Sequence, residues 1–332
     1  MLWIQFVLVA AVIFYAGSQI ARYGDILAEK TGMGRTWIGL VLVASTTSLP
    51  ELFTGLSSAV QSFPDIAVGD VLGSCMFNLV ILSIMDARST APVIPQAQPG
   101  QALAVGFGVL LVGLVGMGLV IDPHLPGWTR IGAATPLVIV LYFASMRVLF
   151  VFERRRLLTT PELKAEMQYG AVSTRTAALR YSASAAFVIL AATMLPRLAG
   201  EIADRTGLGQ AMVGSFFVGI TTSLPEVVVS LAALRLGAVD LAISNVLGSN
   251  LFNILILALD DIAYPAGPIL GSASSANLVA VLCVILMYGL FLVSITYRAS
   301  KKKLKLAWDT SSILAVYLVS ILLMLILRNV EL

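Results

Sequence analysis

Thr46-Thr47-Ser48-Leu49-Pro50-Glu51 occurs a second time, residue for residue, as Thr221-Thr222-Ser223-Leu224-Pro225-Glu226. Each copy interrupts a long apolar stretch with hydroxyls, a proline and a carboxylate. An ionisable side chain at membrane depth is expensive, so it marks a functional site by default. Proline has no N–H, which leaves the carbonyl four residues earlier without its helical partner. Those carbonyls belong to Thr46 and Thr221. A freed carbonyl, neighbouring hydroxyls and a carboxylate form a hard-oxygen set suited to a cation. Two such sets predict one central site assembled from two halves.

The surrounding composition sets the class. Of the 332 residues, 58% are hydrophobic and 12% charged, with a mean hydropathy of +0.94. A soluble domain is about 25% charged, so the chain reads as an all-α integral membrane protein. Cys75 and Cys283 are isolated and lie in apolar segments, which leaves no zinc spacing and no disulfide framework. His124 is the only histidine, read as a solvated loop residue, and it excludes a His-rich metal site or a His-based triad. No nucleophile with a base is evident, so the chain is not read as an enzyme. No cofactor and no nucleic-acid partner are expected, only the lipid bilayer and transported ions. The first twenty residues lack a basic leader and a small-residue cleavage site, and are read as a retained span.

Ten apolar windows are long enough to cross a membrane: about 3–21, 36–60, 66–85, 102–121, 131–151, 180–199, 211–234, 241–259, 276–297 and 309–327. A shift of 175 residues superposes Thr31–Gly34 on Thr206–Gly209, Val71–Ser74 on Val246–Ser249, Phe77-Asn78 on Phe252-Asn253 and Asp86 on Asp261 without a gap. Chance similarity between apolar segments shares Leu and Val, not Pro-Glu and Gly-Ser at fixed spacing, so the chain is a duplication. The units are 1–152 and 180–332, joined by a polar, basic linker over 153–179 with a short amphipathic helix expected around Pro161 to Tyr169. Five spans per unit is an odd number, which predicts that the second unit is inverted relative to the first, with a site near the midplane. If the loops after spans 1, 3, 5, 7 and 9 face the cytoplasm, 17 Lys and Arg lie on that side and 4 opposite, a strong positive-inside bias that puts both termini outside. The basic run from Lys301 to Lys305 reads as a topology anchor.

Helical spacing groups the polar residues. Thr47, Ser48 and Glu51 share a face, as do Asp70, Ser74 and Asn78. In the second half the faces are Thr222, Ser223 and Glu226, and Asn245, Ser249 and Asn253. Four polar faces in an otherwise apolar protein are expected to point at one another, since polar groups facing lipid lack partners. The recurring glycines, among them Gly39, Gly55, Gly69, Gly73, Gly214, Gly219 and Gly248, are read as close-packing positions. Asp65 and Asp240 precede spans and are read as helix N-caps. Asp86, Asp260 and Asp261 lie at outgoing ends and are expected to be solvated. Asp70 is either a pore-mouth charge or the partner of a nearby polar group.

The paired Thr-Ser-Leu-Pro-Glu segments, each followed by Gly-Ser and Phe-Asn, resemble the two alpha-repeats of the sodium/calcium exchanger family of cation/calcium antiporters. The resemblance implies ten transmembrane helices as two inverted five-helix repeats, with broken, proline-containing helices at the centre. It implies alternate binding of Ca²⁺ and a counter-ion by Ala44 (carbonyl), Thr47, Ser48, Glu51, Ser74 and Asn78. From the second half it implies Gly219 (carbonyl), Thr222, Ser223, Glu226, Ser249 and Asn253. Three positions depart from the family pattern: Asn253 stands where known exchangers have Asp, Asp70 where they have Asn, and Cys75 where they have Asn. Glu51 and Glu226 alone then carry −2, and Asp70 would add a third charge. The expected function is Ca²⁺/Na⁺ antiport in a cell inner membrane. Antiport of Ca²⁺ for H⁺, or of another divalent cation, is the alternative, and a cation channel a more distant one. Stoichiometry and oligomeric state are left open.

Overall fold

The computed structural model describes residues 2–31, 43–126, 129–159, 172–235, 237–297, 302 and 305–327, and these form helices joined by short turns. In chain order they are α1 (Leu2–Thr31), α2 (Ala44–Thr47), α3 (Leu49–Val60), α4 (Pro64–Arg88), α5 (Pro99–Ile121) and α6 (Ala134–Thr159). The second half follows as α7 (Thr174–Thr206), α8 (Gly219–Thr222), α9 (Leu224–Arg235), α10 (Val239–Ala263), α11 (Asn277–Tyr297) and α12 (Trp308–Leu327). Seven described helices are long and apolar enough to cross a membrane, and the bent pair Gln210–Thr222 with Leu224–Arg235 makes an eighth. Of the other two expected spans, 3–21 lies in α1, whose apolar part Leu2–Ala16 is short, and 36–60 falls partly outside the described residues. So do residues 160–171 of the linker, including the helix expected around Pro161 to Tyr169, and most of the Lys301–Lys305 run.

Local chemistry places the ends. Pro64 opens α4 and Pro99 opens α5, where a missing N–H costs nothing. Gln98 and Gln101 cap the start of α5 reciprocally. Ser173 caps α7 by accepting from Thr176 N at 3.1 Å, and Gly207 ends it in the left-handed region at φ 65°. Asp65 and Asp240 are not N-caps, contrary to the sequence reading. Phe63 and Ala238 hold those positions, and each aspartate lies inside the first turn. Asp65 instead accepts from Ser274 N at 2.6 Å and Asn277 Nδ2 at 2.9 Å, tying the mouth of α4 to the start of α11.

Two helices form the centre. In α4 and α10, 89% of the membrane-length window is buried by protein, against 33–44% in α5, α6, α7, α11 and α12. The outer helices expose one apolar face, as residues such as Leu137, Val140, Leu282 and Leu286 show, and that face suits lipid. On the inside, α1 presents Leu2, Phe6, Val9 and Ile13 to Leu195, Leu198 and Ile202 of α7. The spacing of about one turn is that of a single helix stripe.

Close approach at the centre depends on glycine. A Cβ on Gly73 would collide with the backbone of Ser215, and one on Gly219 would fall 2.9 Å from Ser74 N. The packing reading of Gly69, Gly73, Gly214 and Gly219 therefore holds: α4 lies backbone to backbone against the irregular segment that leads into α8. That segment, Val213–Val218, is a π-helical turn.

Candidate functional site

Both copies of the repeated hexapeptide break their helix at the same residue. Ser48 has φ −87° and ψ 14°, and Ser223 has φ −84° and ψ 6°, both off the helical basin. Pro50 sits in the first turn of α3, and the segment Gln210–Thr222, which ends in α8, meets α9 at 43°. The proline cannot continue the preceding helix's hydrogen bonds, so the chain restarts there and its hydroxyls turn inward.

The breaks face one another through reciprocal bonds. Ser48 Oγ donates to Glu226 Oε1 at 3.0 Å, and Ser223 Oγ donates to Glu51 Oε1 at 2.9 Å. Thr47 Oγ1 lies 3.3 Å from Ser249 Oγ, and Ser74 Oγ lies 3.3 Å from Thr222 Oγ1. Ser74 donates to Gly219 O at 3.2 Å, and Ser249 reaches Ala44 O at 3.5 Å and Glu226 Oε1 at 3.3 Å. Apart from the Ser249–Glu226 bond, which stays within the second half, each of these contacts has its mate in the other half, crossed between the repeats. The carbonyls that receive these hydroxyls are those of Ala44 and Gly219, two residues earlier than the Thr46 and Thr221 carbonyls expected from proline geometry. Thr47, Ser48, Glu51, Asp70, Ser74, Asn78, Thr222, Ser223, Glu226, Ser249 and Asn253 are all fully buried, and the contacts above join the threonines, serines and glutamates of the expected set across the two halves.

The departures from symmetry are informative. Asp70 is no pore-mouth charge: it is buried, and its Oδ1 accepts from Thr222 Oγ1 at 2.9 Å. Its repeat mate Asn245 instead donates to Ser230 Oγ at 3.2 Å. Asn78 Nδ2 donates to Asn250 Oδ1 at 3.0 Å, and Asn250 Nδ2 donates to Cys75 O at 3.1 Å. Asn250, which is outside the expected ligand set, thus braces α4 against α10, and Cys75 contributes its backbone carbonyl there. Both amide atoms of Asn253 lack a hydrogen-bond partner, as do Glu51 Oε2, Glu226 Oε2, Asp70 Oδ2 and Asn78 Oδ1. Buried polar atoms are almost always paired. These unpaired oxygens are what a cation would satisfy. Among the described residues no three of His, Cys, Asp and Glu gather as a metal cluster. The set is instead mixed: carboxylates, hydroxyls, amides and carbonyls.

The three terminal aspartates correct the sequence reading, for all are buried rather than solvated. Asp86 accepts from Val93 N at 3.0 Å, Ala307 N at 2.7 Å and Thr310 Oγ1 at 2.8 Å, and pairs with Lys302 at 3.0 Å. Asp261 accepts from Ile269 N at 2.7 Å, Gly132 N at 2.8 Å and Thr135 Oγ1 at 2.5 Å. Gly132 and Thr135 stand 175 residues before Ala307 and Thr310, so the duplication reaches these anchors too. Asp260 is different, with both carboxylate oxygens unpartnered.

Comparison with known proteins follows the same lines. A profile described as "Sodium/calcium exchanger protein" matches residues 1–152 and 178–327. The chain belongs to the sodium/calcium exchanger family. It is 30% identical over 255 residues to the putative antiporter CaxA of Alkalimonas amylolytica, covering 75% of this chain and 77% of that one. It is 25% identical over 253 residues to the inner membrane protein YrbG of Escherichia coli, covering 74% of each. The fold matches that of the sodium-calcium exchanger NCX_Mj, solved after soaking with Na⁺ and Sr²⁺, with a TM-score of 0.63 and 21% identity over 97% of this chain and 99% of that one. As a member of the family this exchanger is an integral membrane cation/Ca²⁺ antiporter, and the family is one of transporters rather than catalysts.

Proposed function

We propose that this exchanger is a secondary antiporter that trades Ca²⁺ for Na⁺ by alternating access at the crossed site between its two halves. The observation that carries it is the crossed Ser48–Glu226 and Ser223–Glu51 pair, which leaves one buried oxygen free on each glutamate. Two carboxylates neutralise one Ca²⁺, and hydroxyls, amides and the Ala44 and Gly219 carbonyls complete an oxygen shell. Sodium ions use the same oxygens, so the two ions compete and their fluxes couple. A channel has no need of two helix breaks that tie each half's carboxylate to the other half's serine. The test is flux in vesicles reconstituted with the purified protein. An inward Na⁺ gradient is expected to drive Ca²⁺ out, and a proton gradient of equal size is not. Calcium movement driven by protons alone would transfer the assignment to Ca²⁺/H⁺ antiport, a reading favoured by the loss of the family's Asp at Asn253.

The same reading assigns ten spans as two inverted five-helix repeats, 1–152 and 180–332, around a cytoplasmic linker over 153–179. It places the protein in the inner membrane with both termini outside. Its supports are the 175-residue repeat, the crossed contacts, the positive-inside bias and a family match that falls into two stretches flanking the linker. Single cysteines placed at Arg154 or Arg155 are expected to react with impermeant maleimide only from the cytoplasm. Reaction from outside would overturn the orientation.

A further inference from the structure

The central site leaves a fourth buried carboxylate unexplained. Asp260 is fully buried, and neither of its oxygens has a hydrogen-bond partner. It lies on α10 seven residues beyond Asn253, on the same helix face. Its carboxylate sits over Gly55, with Cγ 2.9 Å from where a Cβ on that glycine would be. Gly55 is one turn beyond Glu51 on α3, so the absence of its side chain opens a niche beside the central site. The pairs Ala44 with Ser249 and Gly55 with Asp260 share one offset of 205 residues, so α2–α3 and α10 run side by side from the site to this niche.

The niche has no counterpart in the other half. There the positions of Gly55 and Asp260 are held by Ser230 and Met85. Asp70 is the other asymmetric acid: it accepts from Thr222, whose chain neighbour Ser223 donates to Glu51, one turn before Gly55. It keeps one unpartnered oxygen, and Thr54, buried on the same turn of α3 as Gly55, has an unpartnered hydroxyl. No ion pair reaches Asp70 or Asp260 among the described residues. Two buried, uncompensated carboxylates in a low-dielectric centre are strongly disfavoured unless a cation joins them or they take up protons, and two asymmetric acids around a side-chain-free niche suit the cation.

We propose that Asp70 and Asp260 hold a second hard-cation station, Ca²⁺ or Na⁺, one helical turn along α3 from the Glu51–Glu226 pair. This rests on the reading of the centre as a cation site, but it predicts something separate: a bound ion that does not depend on the two glutamates. Asp260 lies beyond Glu51 along the paired helices, while Asp70 borders the central set through Thr222, so an ion between them lies along the line from the central site to the end of α10. Ions passing through would then occupy two positions in turn, and the repeat asymmetry would set which side holds the outer one.

The test is equilibrium binding of ⁴⁵Ca²⁺ and ²²Na⁺ to the purified full-length protein in detergent, with monodispersity checked for each variant. Wild type is expected to hold one more cation than the glutamate pair takes. The double variant E51Q/E226Q is expected to keep that one ion, and D260N to lose it while keeping the central one. The isotope retained by E51Q/E226Q identifies the ion as Ca²⁺ or Na⁺. G55A, whose added Cβ displaces the Asp260 carboxylate without removing its charge, is expected to weaken the same ion at least tenfold, a readout that stands should D260N fail to fold. Absence of both isotopes from folded E51Q/E226Q would overturn the second station. So would unchanged binding of both by D260N. Because the assay counts bound ions and not flux, failure of the Na⁺/Ca²⁺ coupling assay leaves its outcome readable.

Discussion

Replacing Glu51 or Glu226 by glutamine is expected to abolish calcium exchange while leaving a folded protein. Glutamine is nearly isosteric, and its amide oxygen can still accept from Ser223 or Ser48, so the crossed bonds of the two breaks survive. What disappears is half of the glutamate charge, at a fully buried position. Removing one member of a buried charge pairing costs about 2–5 kcal/mol, or roughly 30- to several-thousand-fold in calcium affinity. Both variants should fall alike, because the site is crossed and neither half owns it. The measurement is calcium uptake into reconstituted vesicles alongside size-exclusion profiles in detergent. Near wild-type exchange by either folded variant would show that these glutamates only glue helices together.

The largest effect on stability is expected at Asp261. Its carboxylate serves Ile269 N, Gly132 N and the Thr135 hydroxyl at 2.5–2.8 Å, and so pins the start of α6 in one half to the end of α10 in the other. Asp261→Ala leaves two buried N–H donors unpaired at about 1–3 kcal/mol each, a loss of roughly 2–6 kcal/mol. Asp261→Asn should lose less, since its remaining oxygen can serve one donor and Thr135 can turn to accept from the new amide. Thermal unfolding in detergent should rank wild type above Asn above Ala. The mate Asp86 has the same anchors plus Lys302, and Asp86→Ala should behave like Asp261→Ala. An alanine variant that melts with wild type would mean that water reaches these donors and the anchor contributes little.

The repeated hexapeptide shows why so much was legible beforehand. Proline breaks a helix wherever it stands, and a carboxylate in an apolar segment demands a partner regardless of context, so Pro50, Glu51, Pro225 and Glu226 announced a two-part polar centre from local chemistry alone. Helix period then grouped Ser74 with Asn78 and Ser249 with Asn253, and the 175-residue repeat required the two groups to meet. All of these side chains are buried.

What the chain could not show in one dimension was which polar group meets which. Asp86, Asp260 and Asp261 stand at the ends of apolar windows, where solvent is the default expectation. Whether a helix end is wet depends on what packs over it, here residues up to about 220 positions away, such as Ala307 and Thr310 around Asp86. Asp65 looked like a cap because capping is local, yet its oxygen is taken by Ser274 and Asn277, which arrive from the other half. Asp70 could be placed on a face but not at a depth, and only the crossing of α4 with α8 put it against Thr222. Sequence thus determined the breaks, the repeat and the polar faces, because those follow from covalent chemistry and helix period. The tertiary structure alone decided the crossed pairing, the buried anchors and the niche at Gly55, because each is a contact between segments whose separation along the chain carries no trace of their meeting in space.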